Sequence, residues 1–180
     1  GQLDEVIVEK EITSPDKILD EIRKNIIEKI GKREGKTGSS DGMDCSICVW
    51  DKKSNRLKFA GAHNPLYVVR ATGAEGGFIE LPADNLSVGY DWGKEEALFT
   101  GKELILQHGD MLYMFSDGFQ TQLGGPKGKK FMTKHFRDLL REISATTSLE
   151  EQKELLSSEI KKWIGNGEQT DDVGIIGIRV

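Results

Sequence analysis

Apolar and polar positions follow two rhythms along the chain, and the change between them falls at Met43. Before it, Ile18, Ile22, Ile26 and Ile30 recur at helical spacing, with Leu19 and Ile27 widening the stripe. Ser14 stands where a cap is needed, Pro15 at the first helical position and Asp16 near the positive end of the dipole. Gly31 ends the run, so the pattern predicts a helix over 14–31. The earlier segment 3–12, apolar at 3, 6, 7, 8 and 12, fits either a helix or extended chain. Residues 32–42 (KREGKTGSSDG) are polar and glycine-rich and predict a loop.

From Met43 onward a strand-like period takes over. Strands are expected over 43–50, 56–62, 66–71 and 78–81, separated by turn residues at 53–55 and 73–77, with a further turn at Asn64-Pro65. Segments 96–106 and 111–115 read as another strand pair, joined by Gln107-His108-Gly109-Asp110 as a hairpin turn. Helical spacing returns over 133–144 and again from Ser148, which has capping-box spacing to Glu151. The inner stripe of that last helix is Leu155, Leu156, Ile160, Trp163 and Ile164, and 173–180 is the final strand. Short hairpin-linked strands between helices give an α+β fold with mostly antiparallel sheet, formed as one domain over residues 1–180.

Composition narrows the function classes. With 25 Lys and Arg against 30 Asp and Glu, the net charge of −5 argues against a nucleic-acid footprint. No stretch reaches the ~18–20 apolar residues of a membrane span, so no membrane contact by this segment is expected. Two cysteines make no disulfide framework, and a reducing, cytoplasmic setting is the simpler expectation. Twenty-one glycines in 180 residues imply many tight turns. Gly1 is not a start methionine, which fits either a cleavage scar or a chain beginning inside a longer protein.

Cys45 and Cys48 have C-x-x-C spacing, but in a strand residues i and i+3 point to opposite faces and no second pair completes a zinc site. They read as core residues. Of the three histidines, only His63 lies in a distinctive segment, Gly61-Ala-His-Asn-Pro65, where a turn-stabilising role competes with catalysis. The carboxylates carry more chemistry. The apolar run Met111–Phe115 ends in Ser116-Asp117-Gly118, and an acid at the end of a buried strand needs compensation. A glycine beside it lets backbone approach an ion. Thr170-Asp171-Asp172 precedes the last apolar strand, and the repulsion between its two acids is relieved either by a divalent cation or by solvent in an ordinary turn. Both segments offer oxygen only, which suits Mg²⁺ or Mn²⁺ over Zn²⁺. No P-loop or strand-linked G-x-G-x-x-G suggests a nucleotide site.

Asp41-Gly-Met-Asp44, Phe59-Ala-Gly-Ala-His-Asn-Pro65, Gly109-Asp110, Phe115-Ser-Asp-Gly118 and Thr170-Asp-Asp172 resemble, in order and spacing, the SpoIIE-type branch of the metal-dependent serine/threonine phosphatases, the phosphatase 2C-like superfamily. The segment Leu123–Phe131 resembles the loop after the SDG motif in versions attached to bacterial sensors. The resemblance implies an α-β-β-α sandwich of two antiparallel sheets flanked by helices. It also implies hydrolysis of phosphoserine or phosphothreonine by water activated between two Mn²⁺ or Mg²⁺ ions, with no protein nucleophile. By resemblance Asp117 and Asp171 are metal ligands, Gly118 belongs to the same motif, and Asp172 is either a supporting neighbour or the ligand itself. His63, Asn64 and Lys127 are the candidate substrate contacts, Lys127 through the basic loop Lys127-Gly-Lys-Lys130.

The chain departs from the family pattern in lacking the N-terminal Gly-Asp acidic motif and the Asp-x-x-Gly-His-Gly motif, and Phe119-Gln-Thr-Gln122 stands where the family often carries an acid. It therefore reads as an N-terminally incomplete phosphatase domain, inactive or weakly active alone. An open sheet edge and exposed apolar surface are expected, which a homodimer would cover. The implied partner is a phosphorylated regulatory protein of the anti-sigma-factor-antagonist kind. A non-catalytic interaction module with the same fold is the rival reading.

Overall fold

The computed structural model describes residues 6–7, 12–31, 42–71, 77–91, 94, 96–146 and 148–180. Most of segment 3–12, and the loop expected over 32–42 except Gly42, lie outside the described residues. In chain order the elements are α1 (Pro15–Gly31), β1 (Gly42–Met43), β2 (Cys45–Asp51), β3 (Arg56–Ala62), β4 (Leu66–Val69), β5 (Phe78–Leu81), β6 (Val88–Gly89), β7 (Lys102–Ile105), β8 (Met111–Phe115), α2 (Gly118–Thr121), β9 (Leu123–Gly124), β10 (Lys129–Lys130), α3 (Thr133–Ser144), α4 (Leu149–Ile164) and β11 (Ile175–Arg179). This is a mixed fold with antiparallel sheets, and it divides into two compact units.

The first unit comprises Gly1–Leu66 and Glu80–Leu106. Its three-stranded sheet has the order β2-β3-β7, and β2 and β3 pair along their whole length from Cys45↔Ala62 to Asp51↔Arg56. The stripe anticipated on α1 does the packing: Ile18, Leu19 and Ile22 are buried with Ala60, Ala62, Leu86, Val88 and Phe99. Ser14 spends its hydroxyl on the Asp16 carboxylate at 2.5 Å, while its carbonyl accepts the Ile18 N–H.

The strand expected over 96–106 shrinks to β7, and the reason is visible in its hydrogen bonds. The buried Arg23 side chain donates to the carbonyls of Lys94 at 2.8 Å, Ala97 at 3.0 Å and Gly89 at 3.1 Å. Asp20 takes the Phe99 N–H at 2.8 Å and Asp84 the Thr100 N–H at 2.7 Å. Side chains occupy the backbone groups a ladder would need, so the segment is ordered without being a strand.

The second unit comprises Tyr67–Ile79 and Gln107–Val180. Its sheet has the order β11-β8-β4-β5, with β8 central and antiparallel to both neighbours. The alternation of β8 sends Met111, Tyr113 and Phe115 toward the helices, where they pack with Tyr67, Val69, Phe119, Phe131 and the α3 residues Phe136, Leu140 and Ile143. At the sheet edge, β11 leaves Ile176 58% and Ile178 36% exposed.

Three further expectations need correction. Segments 96–106 and 111–115 do not form a hairpin: β7 pairs with β3 and β8 with β4 and β11, so Gln107–Asp110 carries the chain from one sheet to another. On α4 the stripe includes Leu156, Ile160 and Trp163, but Leu155 is exposed and the buried residue is Gln152, whose amide oxygen accepts the Tyr113 hydroxyl at 2.8 Å. The two cysteines are half-buried free thiols in β2 rather than fully buried, with Cys45 packed against the core of the first unit. Burial pushes the Cys48 thiol up to about 12, and burial together with Asp44 raises Cys45. Both therefore hold their protons more tightly than an ordinary thiol.

Candidate metal centre

Five consecutive apolar residues make β8 a strand that runs through the interior, and its end delivers Ser116-Asp117-Gly118. Pairing in the register Ile175↔Phe115 brings the segment before β11 to the same place. Ser116 then stitches the two together. Its N–H donates to the Gly174 carbonyl at 2.9 Å, its hydroxyl donates to the Asp172 carbonyl at 2.9 Å, and the same oxygen accepts the Gly174 N–H at 2.9 Å. A side chain thus completes the last rung of the ladder.

Gly118 is required by this approach. A Cβ at that position would stand 2.3 Å from the Asp172 carbonyl oxygen, closer than van der Waals contact permits. Asp117 opens the short α2 turn with φ −75° and ψ −10°, and its carbonyl accepts the N–H groups of Gln120 and Thr121, both at 3.0 Å. Its side chain makes no capping bond and is exposed. Asp171 and Asp172 are exposed as well, and Asp171 Oδ1 accepts the Asp172 N–H at 2.7 Å.

Gln122 carries the support that the sequence reading passed over. It closes the Phe119–Gln122 stretch in which the family often carries an acid, and it is fully buried. Its Nε2 donates to the carbonyls of Glu168 and Leu123, both at 2.9 Å, and its Oε1 accepts the Thr170 N–H at 3.0 Å. Its backbone carbonyl takes the Phe131 N–H at 3.0 Å and the Trp163 indole N–H at 3.1 Å. One amide therefore ties the turn after Asp117 to the segment before Asp171. An uncharged residue satisfies every one of these partners, which a carboxylate could not, since it has no N–H to give the two carbonyls.

The structure thus gathers Ser116, Asp117, Gly118, Asp171 and Asp172 at one end of the β8–β11 pair. His63 and Asn64 belong to the first unit. His63 is exposed in a turn with φ 58°, its N–H bonded to the Asp84 carbonyl at 3.0 Å. Lys127 is exposed in the turn between β9 and β10. For a divalent cation the donor set fits in kind, being carboxylate and carbonyl oxygen, and is incomplete in number. Among the described residues no group of three or more His, Cys, Asp or Glu side chains is placed to hold a metal ion.

The family described as Stage II sporulation protein E (SpoIIE) matches residues 4–180. No curated protein gives a match. The SiaA-PP2C domain of Pseudomonas aeruginosa superposes with a TM-score of 0.84 at 25% identity, covering 99% of this chain and 66% of that one. The PP2C phosphatase domain of the cell fate determinant SpoIIE from Bacillus subtilis, solved with a fragment of its regulatory domain, gives 0.69 at 20% identity, covering 97% and 47%. A manganese-presoaked phosphatase domain of the same protein gives 0.55 at 21% identity, covering 91% and 70%. The chain therefore spans between about half and two thirds of the length of the first two.

Proposed function

This chain belongs to the SpoIIE family and has the fold of phosphatase 2C-like domains, and from that premise we propose that it is part of a protein phosphatase acting on phosphoserine or phosphothreonine of a regulatory protein. The observation that carries the reading is the Ser116 stitch, which holds the Asp117 turn against Asp172. Asp117 and Asp171 are the proposed ligands, with Asp172 beside them and Gly118 giving the room. A bound Mn²⁺ or Mg²⁺ supplies positive charge to phosphoryl oxygens and activates water. The residues of this chain supply the placement: Ser116 fixes the spacing of the two acidic segments and Gln122 fixes the backbone behind them. Lys127, with Lys129 and Lys130, offers exposed positive charge toward an incoming phosphoprotein, and His63 and Asn64 are proposed as further substrate contacts. The partner would be an anti-sigma-factor-antagonist-like phosphoprotein. A cytoplasmic location belongs to the same proposal; among the described residues no helix is long and apolar enough to cross a membrane.

The donor set among the described residues favours weak or no turnover by the 180-residue chain alone, and a non-catalytic interaction module is the second reading, against which the retained Asp117, Asp171 and Asp172 count. Mn²⁺-dependent hydrolysis of para-nitrophenyl phosphate, measured on this chain and on one extended at its N-terminus, separates the two. Turnover in the extended chain that disappears in Asp117→Asn supports the phosphatase. An extended chain that binds Mn²⁺ by calorimetry no better than Asp117→Asn, and turns nothing over, would sink it in favour of the module.

A further inference from the structure

The other end of the same strand pair holds a feature of opposite charge. Where β8 begins at Met111 opposite Arg179, a pocket of about 420 Å³ opens, and Arg70, Arg141 and Arg179 all line it, while no carboxylate side chain among the described residues does. Four residue steps of β8, ~14 Å along the strand, separate Met111 at this pocket from Phe115 at the acidic end.

Each guanidinium has its own anchor. Arg70 Nη1 meets Asp110 Oδ2 at 2.5 Å, and Asp110 is wholly buried. Asp110 also accepts the Gln107 N–H at 2.8 Å, so its carboxylate is committed to holding this corner rather than facing the pocket. Gly77 permits the close approach of the two segments here, since a Cβ on it would stand 2.2 Å from Arg70 Cβ. Arg141, from α3, lies over the Phe78 ring at 5.3 Å, with its Nη1 3.3 Å from the exposed Asp138 carboxylate. Arg179 donates through Nη2 to the Thr146 carbonyl, whereas its Nε is buried and has no hydrogen-bond partner.

Two observations converge. Three cations share a small cavity, Arg70 with a buried counter-ion and Arg141 with an exposed one, and the buried Nε of the third is left without an acceptor, which is unfavourable unless something accepts from it. Guanidinium forks are matched in geometry by tetrahedral or planar oxyanions. We propose that this pocket is a binding site for a small oxyanion of the phosphate type, with Arg179 Nε and the Arg141 guanidinium as donors and Arg70 as fixed background charge. It is independent of the acidic end and of any activity there.

The test is a titration of the ¹⁵N-labelled chain with inorganic phosphate in EDTA at constant ionic strength, following arginine Nε–H resonances. The expected result is saturable movement of a small set of signals, among them one that is missing in Arg179→Gln. Arg141→Gln alters an exposed side chain and leaves the fold in place, and it should weaken phosphate binding about tenfold, the loss of one charge-assisted contact. Acetate at matched ionic strength should bind more weakly than phosphate. Shifts that never saturate and are reproduced by sodium chloride would overturn the proposal. So would unchanged phosphate affinity in both variants, or acetate moving the same signals as strongly as phosphate does.

Discussion

The β8–β11 pair ends in three carboxylates on one side and three guanidiniums on the other. The acidic end is assembled from two short strings, Ser116–Gly118 and Thr170–Asp172, each contiguous in sequence. The basic end is assembled from single residues of β11, α3 and the segment after β4, with 109 positions between Arg70 and Arg179. The ends differ also in how charge is managed. Asp117, Asp171 and Asp172 are exposed and positioned by backbone, by Ser116 and by Gln122, whereas Arg70 is held by a buried carboxylate. One end relies on neutral hydrogen bonds to place charges, the other on a charge to place a charge.

The comparison can be broken most forcefully at Asp110. Asp110→Ala leaves the Arg70 guanidinium without its buried partner and should destabilise the chain by about 3 kcal/mol, read as a lowered urea midpoint. At the acidic end the equivalent change is smaller, because no buried charge is stranded. Gly118→Ala drives a Cβ into the Asp172 carbonyl, should cost about 1–3 kcal/mol, and should abolish any Mn²⁺ binding by calorimetry even where the protein stays folded. Gln122→Leu removes donor and acceptor together and leaves the Thr170 N–H and Glu168 carbonyl unmatched, for about 2 kcal/mol. Its unfolding curve should shift without a change in slope. A Gln122→Leu protein as stable as the parent would mean that the amide does not support the acidic end.

The smallest effect lies away from both ends and sharpens the contrast by its absence. The folded Cys48 thiol is raised from an ordinary 9.0 to about 12 by burial, so its proton is held more tightly in the folded chain. The stability this contributes is fully present below pH 9.0 and is lost as pH rises toward 12. Alkylation by iodoacetamide at pH 8 should accordingly be at least about tenfold slower than in the urea-unfolded chain. Rapid labelling of Cys48 in the native protein would contradict the burial described for β2.

What was legible in the sequence follows the same division. Contiguous strings and strict periods were readable: α1 with its isoleucine stripe, β3, β5, β8 and α3 fall where the pattern put them, and so do the two acidic segments. What depended on distant partners was not. Nothing local reveals that Arg23, Asp20 and Asp84 will take the backbone of 97–100, so a strand was expected there. A two-residue period looks the same whether the next strand pairs back or enters another sheet, so Gln107–Asp110 resembled a hairpin. Gln152, not Leu155, is the buried residue of α4 because the Tyr113 hydroxyl beneath it needs an acceptor, and only the fold discloses that need. Gln122 and the three arginines were silent for the same reason.

The Ser116 rung has a consequence for how the chain tolerates changes of length. Successive residues of a strand face opposite sides, so a one-residue slip of β11 against β8 would exchange the faces of every residue that follows. Because Ser116 engages Gly174 through backbone and hydroxyl at once, that slip would forfeit bonds at both partners. An inserted residue within Ile175–Arg179 would move Arg179 out of the basic pocket, whereas one inserted at Gly165–Gly167, beyond α4, could bulge into solvent and leave both ends in place. A single hydroxyl thereby divides the C-terminal region into a stretch whose length is fixed and a stretch whose length is free.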